Sequence, residues 1–239
     1  MPVHDLLVYI FLFAGVVFSI SGKKLSVAGA LTGGLIGFLI YQGAGVAGIG
    51  MLAFFFLSGS FATGWQIKKK TALGIAEQDK GRRTTMQVIA NGGVPAILAG
   101  IAWYRPELSR ILIIMLAGSF ASATADTLSS ELGSVYGKRF YDILSFRKVS
   151  PGPDGVVSLE GTLIGICGAV LIAAIYALGF GSINYAFAIV LAGAIGNLAD
   201  SLLGATLERR KIIGNDAVNF LNTCVGAGIC WVIQLFFKN

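Results

Sequence analysis

The 239-residue chain is 55% hydrophobic, 13% charged and carries a formal net charge of +6, with a mean hydropathy of +0.78. Soluble domains carry about 25% charged residues, so this composition excludes a water-soluble globule and implies an integral membrane protein. The basic excess needs no nucleic acid, because Lys and Arg beside membrane spans account for it, and a single histidine, His4, excludes a His-based metal site.

Apolar runs long enough to cross about 30 Å of hydrocarbon recur along the chain. Lipid cannot satisfy exposed backbone polar groups, so these runs imply helices. The pattern predicts an all-α helical bundle in a single domain over residues 1–239. Eight spans fall near 6–22, 26–43, 45–63, 86–104, 109–130, 158–179, 182–204 and 217–236, with long loops near 64–85, 131–157 and 205–216. The first span follows no basic n-region and precedes Lys23 and Lys24, so it is expected to be retained rather than cleaved. Fifteen of the eighteen basic residues fall in the odd-numbered connections, leaving Arg105, Arg110 and Lys238 for the other side. The expected topology therefore has cytoplasmic odd connections and both termini outside, in a prokaryotic cell membrane.

Between the second and third spans, "GAGVAG" at 43–48 fits a dinucleotide-binding pattern, but no strand precedes it, and a tight turn explains it better. Gly33 with Gly37, and Gly161 with Gly165, are small-xxx-small pairs suited to close helix packing. Cys167, Cys224 and Cys230 fall inside spans without metal-ligand spacing and are expected in the core. "GSVYGKR" at 133–139 is no phosphate loop, because its glycines are too close and Arg139 stands where a hydroxyl should hold magnesium. Its Lys138 and Arg139 can still meet an anion.

Two of the twelve acids, Asp126 and Asp200, sit within apolar stretches near the inner ends of the fifth and seventh spans. A charge at the membrane centre costs on the order of 2.5–3.5 kcal/mol or more, and less toward the interface, so something must offset it. Ser119, Ser122, Asp126, Ser129, Ser130 and Gly133 form one small polar stripe at helical spacing, and Gly193, Asn197, Asp200, Gly204 and Glu208 another. "ADTLSSELG" at 125–133 echoes "ADSLLGATLE" at 199–208, and "GSFAT" at 59–63 echoes "GSFAS" at 118–122. Paired repeats would set Asp126 opposite Asp200.

Two interfacial carboxylates beside basic loops suit a magnesium ion completed by phosphate oxygens and water. Arg82, Arg83, Lys138, Arg139, Arg147, Lys148, Arg209 and Arg210 could clamp the remaining phosphate charge. The plainer reading pairs the same cations with Asp126 and Asp200 as helix-end residues. A proton or ion path is a rival, but it would want ionisable groups deeper and toward the outer side. In "FRKVSPGPDGVVSLEGT" at 146–162 a stiff double turn precedes Ser158, an expected N-cap, so that amides at the start of the sixth span could meet a phosphate. Asn91 and Asn197 could hold phosphate or ribose, or bond between helices.

"GRRTTMQVIANGG", "ADTLSSELG", "SPGPDGVVSLEGTLIG", "GNLADSLLGATLER" and "NDAVNFLNT" together resemble the integral membrane family called domain of unknown function 92, over nearly the whole chain. That family includes the phytyl-phosphate kinase of plant tocopherol synthesis. More distantly, Asp126 through Glu160 resembles dolichol and phytol kinases. Asp200 through Asp216 resembles the phosphatidate cytidylyltransferases, with Glu208-Arg209 and Asn215-Asp216 in place of that family's Lys-Arg and Lys-Asp, and without its P-G-H-G-G segment. The resemblance implies a kinase that phosphorylates an isoprenyl monophosphate to the diphosphate, with a nucleoside triphosphate, CTP favoured, as donor and Mg²⁺ as cofactor. Glu131, Glu160 and Asp216 would join Asp126 and Asp200 as catalytic acids, with Glu208 beside the nucleotide. The bilayer and an isoprenoid lipid phosphate are the expected partners. A transporter or lipid-handling protein without phosphotransferase activity shares the hydrophobicity and the repeats.

Overall fold

The computed structural model describes residues 3–72, 74 and 82–236; Glu77, Asp79, Lys80 and Lys238, counted in the charge distribution above, lie outside them. In chain order the helices are α1 (Val3–Ser21), α2 (Val27–Gly64), the short α3 (Ile67–Ala72), α4 (Thr85–Tyr104), α5 (Ser109–Tyr136), α6 (Leu159–Phe180), α7 (Ala186–Leu203) and α8 (Asn215–Phe236). A 3₁₀ turn, Pro106–Leu108, leads into α5, and a π-helical turn, Gly204–Glu208, extends α7. Among the described residues seven of these helices are long and apolar enough to cross a membrane.

The 38-residue α2 is two spans rather than one, because its helical path breaks at Gly45, with φ 60° and ψ −155°. That conformation suits only a residue without a side chain. A straight helix of this length would hold its ends about 57 Å apart, yet both ends meet the same residue. Ser26 N donates to Arg83 O at 3.0 Å, and a Cβ on Gly59 would lie 2.7 Å from Arg83 Nη2. The halves 27–44 and 46–64 therefore double back, each about 27–29 Å long, and the bundle has the eight crossings that the hydropathy pattern predicts. "GAGVAG" is the hairpin turn.

Local chemistry sets the helix starts. Ser26 caps α2 by accepting from Gly29 N at 3.0 Å, Thr84 and Gln87 form a reciprocal capping box on α4, and Ser158 caps α6 through Gly161 N at 3.1 Å.

Helix α5 is the axis of the bundle and packs on α2, α4, α6, α7 and α8. In its span 67% of the most apolar stretch is buried, against 6% for α1, which lies at the periphery against α2. Small residues permit the central crossings: a Cβ on Gly133 would lie 2.7 Å from Gly161 Cα, and one on Gly165 would lie 2.6 Å from Ala125 O. Cys230 is buried and Cys224 half-buried, but Cys167 faces outward, which corrects its expected place in the core.

The segment expected to be an irregular loop over 131–157 is ordered in two ways. Helix α5 continues to Tyr136, and beyond it a small antiparallel sheet of order β2-β1-β3 forms from β1 (Phe140–Asp142), β2 (Lys148–Val149) and β3 (Val156–Ser158). Tyr141 pairs with Lys148 on one side and with Val157 on the other. Strands of two or three residues are too short for alternation to be read in a sequence. Gly155, at φ 73°, makes the last turn, and a Cβ there would meet Ser201 O at 2.7 Å. The loop thus lies directly on the end of α7.

Candidate active site

Helices α5 and α7 both start at the end of the bundle where Arg110 Nη2 donates to Tyr185 Oη at 3.1 Å, and both run toward the basic end. Parallel helices bring like positions to like depths, so the two buried acids meet. Asp126 and Asp200 line the same cavity and are close enough to interact electrostatically, as the repeated motif predicts. Helix α8 braces them: Asn222 Nδ2 donates to Asp200 Oδ1 at 3.3 Å. Asn222 is fully buried and is fixed by Ser122 Oγ, which donates to its backbone oxygen at 3.0 Å and also contacts its Oδ1.

The pair lines a polar cavity of about 320 Å³ whose wall also holds Arg83, Gln87, Asn91, Ser129, Ser130, Glu131, Asp154, Ser158, Asn197, Ser201, Glu208, Asn215 and Asn219. Eight of the expected site residues thus converge: Asp126, Asp200, Glu131, Arg83, Asn91, Ser158, Asn197 and Glu208. Glu131 pairs with the buried ammonium of Lys70, so its charge is already matched within the protein. Asn91 Nδ2 donates to Gln87 O at 3.0 Å, which anchors that amide on α4.

Nine expected residues stand outside the wall, Arg147 and Arg210 among them. Glu160 accepts from Lys138 N at 3.3 Å, bracing the junction between α5 and α6. Arg82 Nε donates to Leu25 O at 3.2 Å. Lys148 lies on the exposed strand β2, Arg139 lies ahead of β1 and Asp216 lies in the first turn of α8. Arg209 is the most informative correction. Its Nη1 donates to Asp142 Oδ2 at 2.6 Å and its Nε to Asp154 O at 3.0 Å, so its guanidinium holds the sheet onto the end of α7 from behind the cavity. The backbone N–H of Ser145, with Arg209, holds the Asp142 carboxyl down to about 2. Arg82 and Arg209 are thus held by backbone carbonyls and a loop acid outside the wall, which proximity in sequence does not reveal.

Among the described residues Arg83 is the one basic side chain in the wall, against the carboxylates of Asp126, Glu131, Asp154, Asp200 and Glu208. No ion pair among the described residues neutralises Asp126 or Asp200, and no three His, Cys, Asp or Glu side chains there converge as a complete metal site. Two facing carboxylates suit a hard divalent cation that takes its remaining ligands from phosphate or water, which is how Mg²⁺ is commonly held. Sequence reasoning missed Lys70, Gln87, Asp154, Asn215, Asn219 and Asn222. The asparagines at 215, 219 and 222 recur at i, i+4 and i+7, a one-face signal on a helix that could have been read.

Comparison with known proteins agrees with this architecture. The chain is 33% identical over 219 residues to Protein VTE6, chloroplastic, of Arabidopsis thaliana, a match that covers 89% of this chain and 66% of the plant protein. It is 36% identical over 205 residues to an uncharacterized membrane protein of Methanocaldococcus jannaschii, covering 86% and 83% of the two chains. An uncharacterized membrane protein of Synechocystis is 32% identical over 203 residues, covering 84% and 79%. No solved structure matches. The model of the family described as integral membrane protein DUF92 matches residues 10–227, and the chain belongs to that family.

Proposed function

We propose that the protein is a membrane-embedded kinase that transfers a phosphoryl group from a nucleoside triphosphate, CTP favoured, to an isoprenyl monophosphate. The observation that carries this reading is the facing pair Asp126 and Asp200 in a polar cavity at the basic end of a membrane bundle. The family's plant phytyl-phosphate kinase suggests the substrate class, and the positive-inside pattern supports a cavity at the cytoplasmic face, which we assign to a prokaryotic cell membrane.

An ionised oxygen of the acceptor phosphate forms a new bond to the γ-phosphorus while the bond from that phosphorus to the β–γ bridging oxygen breaks. The nucleoside diphosphate leaves with the electron pair. No proton has to be removed from the acceptor, so positioning and charge compensation carry the reaction. Asp126 and Asp200 would hold magnesium, which supplies positive charge to phosphate oxygens. The acidic wall makes that cation necessary, because a bare triphosphate would be repelled. Arg83 meets phosphate oxygens, Asn222 orients Asp200, and Asn91 and Asn197 offer amides to phosphate or ribose.

The test is diphosphate formation by detergent-purified protein from phytyl or geranylgeranyl monophosphate with Mg²⁺ and each of the four nucleoside triphosphates, wild type beside Asp200→Asn. Product from wild type, lost in a folded variant, supports the reading. No product with any donor from folded protein sinks it, and shifts weight to transport or lipid handling.

A further inference from the structure

The polar cavity has an apolar neighbour. A second cavity, of about 360 Å³, lies between α1, both halves of α2 and the beginning of α4. Arg83, Gln87 and Asn91 line both cavities; Gln87 and Asn91 share one face at the start of α4, four residues apart, and Arg83 lies just ahead of its cap, Thr84, bridged to Leu25. One polar stripe is therefore the seam between an acidic chamber and a greasy one. Phe11 and Phe18 of α1 and Leu57 of α2 line the second cavity and are each 55% exposed. Its mouth thus opens sideways on the flank of the bundle, which for a span faces lipid. A water-soluble molecule does not approach from that direction, and an apolar chain does.

The space itself is encoded in glycine. A Cβ on Gly15 would meet nothing within 4 Å, and one on Gly33 only side chains at 3.8 and 3.9 Å. Both residues line the cavity, and neither is needed for close backbone packing.

We infer that this cavity is the subsite for the apolar tail of the acceptor lipid, whose phosphate passes the stripe of Arg83, Gln87 and Asn91 to reach Asp126 and Asp200. The inference rests on the proposed phosphoryl transfer. On α1 the wall runs from Ser19 to Phe11, about 12 Å of helix rise. The cavity therefore reads the part of the tail nearest the phosphate, and the distal part of a long tail stays in the bilayer. Specificity then follows bulk and branching near the headgroup more than total chain length.

The test uses full-length Gly33→Leu and Gly15→Leu, each of which fills the cavity with a side chain that favours helix over glycine. Transfer is measured on geranylgeranyl monophosphate and on the five-carbon dimethylallyl monophosphate, and a geranylgeranyl monophosphate analogue carrying a photoreactive group near its headgroup is cross-linked and mapped. The expected result is that KM for the long acceptor rises about tenfold or more, the equivalent of losing two buried methylenes. KM for the five-carbon acceptor, whose short tail fills only part of the cavity, rises less, and cross-links fall on α1 and α2. Unchanged kinetics in both variants, or cross-links confined to other helices, overturn the inference. If the wild type transfers phosphate to no acceptor, the kinase reading fails while the cross-link map still decides the cavity. Should Gly33→Leu fail to fold, Gly15→Leu, with open space around its Cβ, carries the kinetic comparison.

Discussion

Lys70 is among the largest fully buried side chains of the described residues, at 1% exposure. Its ammonium donates to Glu131 and, at 2.7 and 3.4 Å, to the oxygens of Ala62 and Thr63. One charge thereby satisfies the carbonyls that end α2 and pins α2 to α5 at the rim of the polar cavity. Lys70→Met keeps the apolar stem and removes the charge, leaving a largely buried carboxylate without its partner and the Ala62 and Thr63 oxygens without the ammonium. Breaking a buried pair in this way costs about 3–5 kcal/mol. At about 2–4 °C per kcal/mol for a chain of this size, the midpoint of unfolding should fall by about 6–20 °C. Adding Glu131→Leu removes the orphaned carboxylate, so the double variant should recover most of that loss. The assay is thermal unfolding of the two single variants, the double variant and the wild type in one detergent. A cost below about 1 kcal/mol for Lys70→Met, typical of exposed pairs, would refute the buried clasp. No recovery in the double variant would refute the pairing with Glu131.

Asp126→Asn and Asp200→Asn should each lower phosphoryl transfer by about 10²–10³-fold or more, the scale of losing a pre-placed electrostatic group, with the unfolding midpoint little changed; full activity in either would sink its metal-holding role. Because carboxylates outnumber guanidinium groups in the cavity wall, CTP should protect the protein against thermal unfolding with Mg²⁺ and not in EDTA, and equal protection without the cation would contradict the electrostatic argument. Asp142 is held down to about 2 by the Ser145 amide and Arg209, below the ordinary value of about 3.9. A depressed carboxyl stabilises the fold above its unfolded value and loses that contribution as pH falls toward its folded value. The midpoint of wild type should therefore drop between about pH 4 and pH 2 by more than that of Asp142→Asn, and parallel curves for the two would refute it.

The sequence by itself determined the class of the molecule. Composition required a membrane bundle, hydropathy placed eight crossings, and the glycine turn at Gly45 was readable because the hairpin is a local event. It also singled out Asp126 and Asp200, since a carboxylate inside an apolar run is costly wherever the helix lies, and the repeated Ala-Asp-hydroxyl-Leu motif gave both acids the same register. Only the tertiary structure decided which partners those acids meet. Asn222 reaches Asp200 from another helix, Lys70 rather than the flanking cations neutralises Glu131, and Arg209 turns away to Asp142 and the Asp154 carbonyl. The short sheet and the apolar cavity beside Gly15 and Gly33 were likewise invisible, because two-residue strands have no readable period and a void between helices leaves no local pattern. Periodicity and transfer cost act within a few residues and are written along the chain; charge pairing and cavity shape depend on distant segments brought together, and they exist only once the helices have packed.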